Sequence, residues 1–599
     1  MHEARHRPPC RPGWLALLFL LVPWTPSEAA PPERSRAART PDYRQLFQQG
    51  MRRRDLGNWQ EALLLFDRAL KRKAVEGERI KFYGRRRFPT YLPRFYVAEA
   101  LFMLRNYSQA LEMWEDYGAG GRYAPILPRR ERQLLARYRE EYDTRLFPAE
   151  VGTLAGHMFT ARAALRSIEA ATKEFPAERW RELEPRLGRR PEECPSAPTA
   201  LAGLHSCLEQ AEARLARAHE SKDYRLVAET RGLLEGVVFT LIDLQRAIGS
   251  GGEAIRTGQI GAGRPERRLA VIGRPSFASW SPRASPLRRM TSLRAGMAEN
   301  EPPVTTGCAR PAIPEPRYSE RHALLIGISA YQSWTPLPGV ETDIEAVRET
   351  LCNDLGYDTV KVVSPGDRRT LEEEITRFLE TAGKKPDNQV FLYYAGHGQT
   401  IERYGQRLGL MVPGDAAAYD PSNEDPFLDS AVSMGVIETA VRKMNARHAF
   451  FVFDSCFAGV LFDQLAAAVA VIASHTPGGA AGPARGAVAV DGEPPDATPE
   501  IRRARTIKAL LDHPVRWYLT AGTAVQRVPD SSIFCRSFVA GLRERVQRRY
   551  GYIVTDLDLS LFVQFAVREA SGETQLPMFG QLGLAAPIAL GRVLFHFPQ

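Results

Sequence analysis

Two continuous apolar runs constrain the fold of this chain more than any other feature. Gln389-Val-Phe-Leu-Tyr-Tyr394 and His448-Ala-Phe-Phe-Val-Phe453 are built of β-prone residues and bounded by turn formers. Runs of this kind without alternation read as strands buried on both faces, the condition of a parallel sheet covered by helices. Each run leads into a short polar string, Ala395-Gly396-His397-Gly398-Gln after the first and Asp454-Ser-Cys456-Phe-Ala-Gly459 after the second. Ligands of open α/β sheets bind beyond the carboxyl ends of the strands. A histidine and a cysteine therefore leave the same rim of one sheet. Imidazole is the usual base that turns a thiol into a nucleophile. A lone cysteine or histidine would read as structural; two glycine-flanked strings after matching strands point to nucleophilic catalysis.

The surrounding pattern agrees with an α/β domain from about 317 to 599. Strands are expected at Thr359–Val363, 408–412, 516–519 and 593–596, with helices near 342–355, 370–381, 434–444 and 534–548. Alternation of the two types argues for a parallel sheet flanked by helices. Residues 466–500 interrupt it with Ala, Gly and Pro and read as a mobile surface loop.

The histidine and cysteine strings resemble the dyad of caspase-like cysteine proteases, in which His precedes Cys by tens of residues. The caspase signature Gln-Ala-Cys-x-Gly is absent. Asp454-Ser-Cys456-x-x-Gly459 is instead similar to metacaspases and to bacterial caspase-domain proteins. Arg321-His-Ala-Leu-Leu-Ile-Gly327-Ile would supply the first strand, and Tyr518-Leu-Thr-Ala-Gly-Thr-Ala524 and Met578-Phe-Gly580 are similar to closing motifs of the bacterial members. The resemblance covers somewhat under half the chain. It implies a thiol protease (peptidase C14) with His397 and Cys456 catalytic and the backbone amides of Gly398 and Cys456 as the oxyanion hole.

The resemblance also bears on specificity. Leu337-Pro-Gly339-Val-Glu-Thr-Asp343 carries no basic residue and is similar to the metacaspase Gly-x-x-Asn-Asp stretch, with Thr342 in place of Asn. Asp454 matches the family's second acidic position, and Ala395 stands where metacaspases often carry Ser. Asp343, Asp454 and Ala395 are thus the expected substrate-binding residues, and two carboxylates would favour cleavage after Arg or Lys. The plainer readings are a helix N-terminal charge for Asp343 and a loop hydrogen bond for Asp454. No cofactor or metal is expected. Calcium activates many metacaspases, and Asp429, Ser430 and Asp463 would be the matching oxygens. The acidic segment usual after the histidine is replaced here by Tyr404-Gly-Gln-Arg407.

The first half reads differently. Leu56-Gly-Asn58-Trp-Gln-Glu-Ala62-Leu-Leu-Leu-Phe66 and Leu104-Arg-Asn106-Tyr-Ser-Gln-Ala110-Leu-Glu-Met-Trp114 are similar to each other and resemble tetratricopeptide helix pairs. Residues 41–150 are read as this all-α repeat module, 151–248 as a helical extension, and 249–316 as a flexible basic linker. A protein partner is expected on the repeats.

Residues 1–29 have the form of a secretory signal: Arg5, Arg7 and Arg11 precede Gly13-Trp-Leu-Ala-Leu-Leu-Phe-Leu-Leu-Val22, followed by Ser27-Glu-Ala29. The apolar run is shorter than the roughly 20 residues that cross a bilayer. A secreted, periplasmic or cell-envelope protein with no remaining membrane span is expected, and disulfides become permissible. Cys194 and Cys207 are close enough in sequence to close a small loop, whereas Cys352 reads as core. With 80 Lys and Arg against 70 Asp and Glu the chain is formally +10. No nucleic-acid motif accompanies that charge. The expected function is an exported cysteine endopeptidase; a catalytically silent or self-processing scaffold is the alternative.

Overall fold

The computed structural model describes residues 41–77, 79, 90–173, 200–256, 304–307, 317–455, 469, 472, 499–522, 533–545, 553–572, 574–581 and 592–596. The expected signal segment, most of the 249–316 linker and of the 466–500 loop, and Cys194, Cys456 and Asp463 lie outside the described residues.

The N-terminal part is all helical. Tyr43–Leu56 (α1) opens on a capping box: Asp42 accepts from the Gln45 amide at 2.8 Å, and its own amide donates to the Gln45 side chain at 3.0 Å. Two of the amides that a helix start leaves bare are thus satisfied. Gly57 ends α1 in left-handed backbone at φ 82°, and Asn58 caps Trp59–Arg72 (α2) through the Glu61 amide at 3.2 Å. Pro93–Met103 (α3) and Tyr107–Glu115 (α4) repeat the turn, with Arg105 at φ 66° in place of Gly57 and Asn106 in place of Asn58. A side chain is held in that region only where the surrounding packing demands it. The likeness of the two strings is therefore a likeness of turns. Arg129–Glu141 (α5) and Phe147–Lys173 (α6) follow, and α6 packs against both Ala200–Ser221 (α7) and Tyr224–Arg256 (α8).

The C-terminal part centres on a seven-stranded sheet. Val304–Gly307 (β1), Arg321–Gly327 (β2), Thr359–Val363 (β3), Gln389–Ala395 (β4), His448–Asp454 (β8), Val515–Thr520 (β9) and Met578–Gln581 (β11) lie in the order β1-β3-β2-β4-β8-β9-β11. The middle five are parallel and the edges antiparallel. All seven residues of β4 are buried, as its apolar run requires. Gly339–Glu349 (α9), Ile533–Ala540 (α14) and Asp556–Ala570 (α15) cover one face; Arg368–Ala382 (α10) and Gly435–Lys443 (α12) cover the other.

Gly398–Arg403 (β5), Gln406–Met411 (β6) and Val432–Ser433 (β7) form a separate small sheet. Asp425–Ser430 (α11) precedes β7, and Pro499–Asp512 (α13) precedes β9. Ile553–Thr555 (β10) pairs with Leu594–His596 (β12) outside the main sheet.

Several elements depart from the sequence reading. β1 stands within the segment read as linker, where Val304-Thr-Thr is β-prone and completes the sheet edge beside β3. α8 runs on to Arg256, past the expected boundary at 248. The strands expected near 408–412 and 593–596 exist but belong to the small sheets. Cys352 is buried and disulfide-bonded rather than a plain core thiol, Cys207 is also disulfide-bonded, and Cys535 is free and buried.

The helical part is docked on the sheet domain. From Gln60 to Ala69 every residue of α2 is buried, because the helix packs on α1 and α3 and also meets the sheet domain. Arg68 reaches Asp425 at 2.6 Å and Asp429 at 2.8 Å, and Arg72 also meets Asp425. Burial works against ionised Asp425, but the two guanidiniums outweigh it and hold its pKa below the usual carboxylate range. Glu61 lies between Arg53 and Arg368. Tyr404 and Gly405, both at positive φ, make the two-residue turn of the β5–β6 hairpin. That turn is held by Asp67, which accepts from the Tyr404 hydroxyl and Arg403 Nε at 2.9 Å each, and by Asn106, which donates to the Tyr404 carbonyl at 3.0 Å. A cleft of about 840 Å³ runs along this junction, walled by Arg53, Asp367, Arg368, Glu372 and Asp415.

Two buried ionisable groups tie the chain's end to the sheet. His448 Nε2 lies 2.9 Å from the His513 carbonyl and Nδ1 lies 2.6 Å from the Tyr318 hydroxyl, which accepts from the Leu594 amide at 3.0 Å. Burial pushes His448 down to about 4, with Arg516 and Arg447 adding to the effect. Asp556 accepts from the Val593 amide at 2.9 Å and the Leu557 amide at 2.6 Å, yet burial pushes it up to about 7. Unfolding lets His448 take up a proton between pH 6.5 and 4, so its contribution to stability is lost as pH falls through that window. Asp556 contributes in the opposite sense, losing stability as pH rises from about 4 to about 7. Relative to the wild type, the thermal midpoint of Asp556→Asn is expected to climb with pH across 4 to 7. That of His448→Asn is expected to fall across 4 to 6.5. Differences that do not vary with pH would refute both assignments.

Candidate active site

The register of the sheet sets the site. Gly327, Ala395 and Asp454 are paired in one row across β2, β4 and β8. These are the last residues of three adjacent parallel strands, so the polar strings that follow start at the same height. His397 lies two residues beyond Ala395, and Cys456 is two residues beyond Asp454 in sequence, outside the described residues.

Two tyrosines hold the His397 backbone. Its amide donates to the Tyr331 hydroxyl at 2.8 Å, and its carbonyl accepts from the Tyr394 hydroxyl at 2.8 Å and from the Val412 amide at 3.2 Å. Gly396 is required by this crowding: a Cβ there would stand 2.8 Å from the Tyr331 oxygen and 3.1 Å from the Tyr394 oxygen. The half-buried imidazole lies against Tyr331 and Trp334, with centroids 4.7 and 5.2 Å away. Its Nε2 is 2.8 Å from the Thr335 carbonyl. A carbonyl only accepts, so Nε2 carries the hydrogen and Nδ1 is the basic nitrogen of the neutral ring.

Tyr331, Trp334 and Thr335 come from the loop after β2, which the sequence reading left without a role. Trp334 Nε1 donates to the Ala417 carbonyl at 3.0 Å and the Gln332 amide to the Gly414 carbonyl at 2.8 Å, which fixes that loop. Two aromatics three residues apart in a Ser- and Pro-containing loop were the only signal in the sequence.

Asp343 and Asp454 are brought to one place, on the α9 and α14 side of the sheet. Asp454 accepts from the Tyr393 hydroxyl at 3.0 Å. The Cys535 thiol donates to the Asp343 carbonyl at 3.6 Å, and burial together with the charges of Asp343 and Asp454 holds it well above its usual pKa. Asp343 sits in the second turn of α9 and is buried, which is not the position of a helix N-terminal charge. Ala395 is buried between β2 and β8. Gly398 opens β5 and is buried.

Of the calcium candidates, Asp429 and Ser430 are among the described residues and Asp463 is not. Asp429 is paired with Arg68, and the Ser430 hydroxyl donates to the Pro426 carbonyl at 2.9 Å and accepts from the Ala417 amide at 3.0 Å. Among the described residues no group of three or more His, Cys, Asp or Glu side chains could hold a metal ion. No helix among them is long and apolar enough to cross a membrane.

Residues 320–586 match the family model of the caspase domain, peptidase C14. No curated protein matches the chain. Among solved structures it is similar to caspase-1 from Spodoptera frugiperda at 12% identity, over 49% of this chain and 98% of that one, with a TM-score of 0.28. The strands, their parallel order and the family match together give residues 320–586 a caspase-like α/β fold, preceded in the same chain by an all-helical region.

Proposed function

We propose that this protein is an exported cysteine endopeptidase that cleaves after Arg or Lys. The observation that carries the reading is the pairing of Ala395 with Asp454, which puts the two dyad strings at the ends of neighbouring strands. His397 Nδ1 takes the proton of the Cys456 thiol, and the thiolate attacks the peptide carbonyl. The backbone amides of Gly398 and Cys456 stabilise the oxyanion. His397 then gives the proton to the departing amine, leaving a thioester, and afterwards activates the water that releases the acid.

Basic specificity is supported by the convergence of Asp343, which is buried, and Asp454, which is half-buried, beside β4. Export is supported by the N-terminal apolar segment and by the disulfide-bonded Cys207 and Cys352, which suit an oxidising compartment. Protein binding by the helical part falls to surfaces other than the two turns at Gly57 and Asn106, which face the caspase domain. Purified full-length protein should hydrolyse peptides with Arg or Lys at the cleavage point, leave matched Asp peptides intact, and lose all turnover in Cys456→Ala. Turnover retained in Cys456→Ala would overturn the nucleophile, and preference for Asp would overturn the acidic pocket.

A further inference from the structure

We infer that Tyr393 and Cys535 are positioning residues for substrate specificity: together they form a floor of neutral hydrogen-bond donors that fixes Asp343 and Asp454 without cancelling their charge. This rests on the basic-specificity reading above and adds to it two residues that no motif points to.

Tyr393 and Asp454 share one face of the sheet. Tyr393 pairs with Val452 and Ala395 with Asp454, so the phenol stands one pleat below the carboxylate on the neighbouring strand. Its hydroxyl donates to Asp454 Oδ2 at 3.0 Å, and its ring is wedged against Phe538 with centroids 6.1 Å apart. Cys535 enters from α14, its thiol on the Asp343 carbonyl at 3.6 Å and within reach of the Tyr393 hydroxyl. One tyrosine and one cysteine thus link α9, β4, β8 and α14 beneath the two acids.

The chemical type of these donors matters. At the junction with the helical part, by contrast, the buried carboxylate of Glu61 is held by Arg53 and Arg368. A guanidinium at that place would orient the acid but neutralise it, and would take the room a cationic substrate side chain needs. The Tyr393 phenol orients the Asp454 carboxylate and the Cys535 thiol holds the Asp343 backbone, and as neutral donors neither cancels the charge of the acids. Both remain neutral over the working pH range, because burial and then the neighbouring carboxylates hold each well above its usual pKa.

The test compares kcat and KM for two peptides that differ only in Arg or citrulline at the cleavage point. Citrulline has the shape of arginine without its charge. Tyr393→Phe is expected to lower the Arg-to-citrulline ratio of kcat/KM about tenfold, through KM for the Arg peptide, since a hydrogen bond to a charged group is worth about that factor. The citrulline peptide should be cleaved as by the wild type. Cys535→Ala should lower the ratio by a smaller factor, and Cys535→Ser, which keeps a donor, should restore it. An equal loss for both peptides would show a structural role only and overturn the inference. So would an unchanged ratio in Tyr393→Phe while Asp454→Asn loses the preference. An unchanged ratio in Asp454→Asn would instead bring down the acidic pocket itself.

Discussion

His397→Ala is expected to lower peptide hydrolysis by about 10³-fold, the middle of the range for removing a positioned acid–base group. Its fold should be unchanged, because the half-buried ring fills a surface loop and not the core. The size of the effect follows from what the ring is committed to. Thr335 fixes the tautomer through Nε2 at 2.8 Å, and Tyr331 and Trp334 fix the ring plane. A free imidazole supplied in solution would have to find that orientation by itself, and the entropy of doing so is what the loop has already removed. The loop can be tested separately from the ring. Trp334→Ala removes the indole beside His397 and the hydrogen bond to the Ala417 carbonyl, so kcat should fall about tenfold with KM little changed. Steady-state kinetics on an Arg peptide, with circular dichroism as the fold control, decide both. Undiminished kcat in His397→Ala would remove the histidine from the mechanism.

Arg68→Glu is expected to cost on the order of 3 kcal/mol, the low end for stripping the partner from a buried ion pair, because Asp425 and Asp429 keep partial access to water. Arg68 has only 5% of its side chain exposed and bridges both aspartates. The substitution therefore puts a third carboxylate where two already meet. The thermal midpoint should drop by several degrees, and limited proteolysis should separate the helical part from the caspase domain. Activity should fall with it. The hairpin that begins at Gly398, next to His397, ends at Tyr404 on Asp67 and Asn106 of the helical part. Arg68→Met, which keeps the packing but not the charge, should lose less. A midpoint and a kcat both equal to the wild type would mean that the two parts work independently.

Legibility in the sequence followed burial. β4 and β8 could be read as strands because strands covered on both faces show as unbroken apolar runs. The edge strand β1 could not be read, since four residues of Val-Thr-Thr-Gly amid a Pro- and Arg-rich segment carry too little pattern. The turns at Gly57 and Asn106 were visible as repeated strings, but their docking on Arg442 and Tyr404 was not, because hydrogen bonds to backbone carbonyls leave no periodicity. The possible calcium oxygens were named from resemblance alone. Only the fold shows that Asp429 pairs with Arg68.

By itself, the sequence determined that a histidine and a cysteine follow two buried parallel strands, and that one acid, Asp454, adjoins the cysteine while another, Asp343, stands in a separate stretch. Covalent order and hydrophobic pattern suffice for that. Tertiary structure alone decided that the strands are neighbours with Ala395 opposite Asp454, that Thr335 holds the imidazole, and that Tyr393 and Cys535 lie under the acids. Those relations join residues tens to nearly two hundred positions apart. Which of them meet depends on strand order, register and helix packing, and none of these is a property of a local stretch of chain.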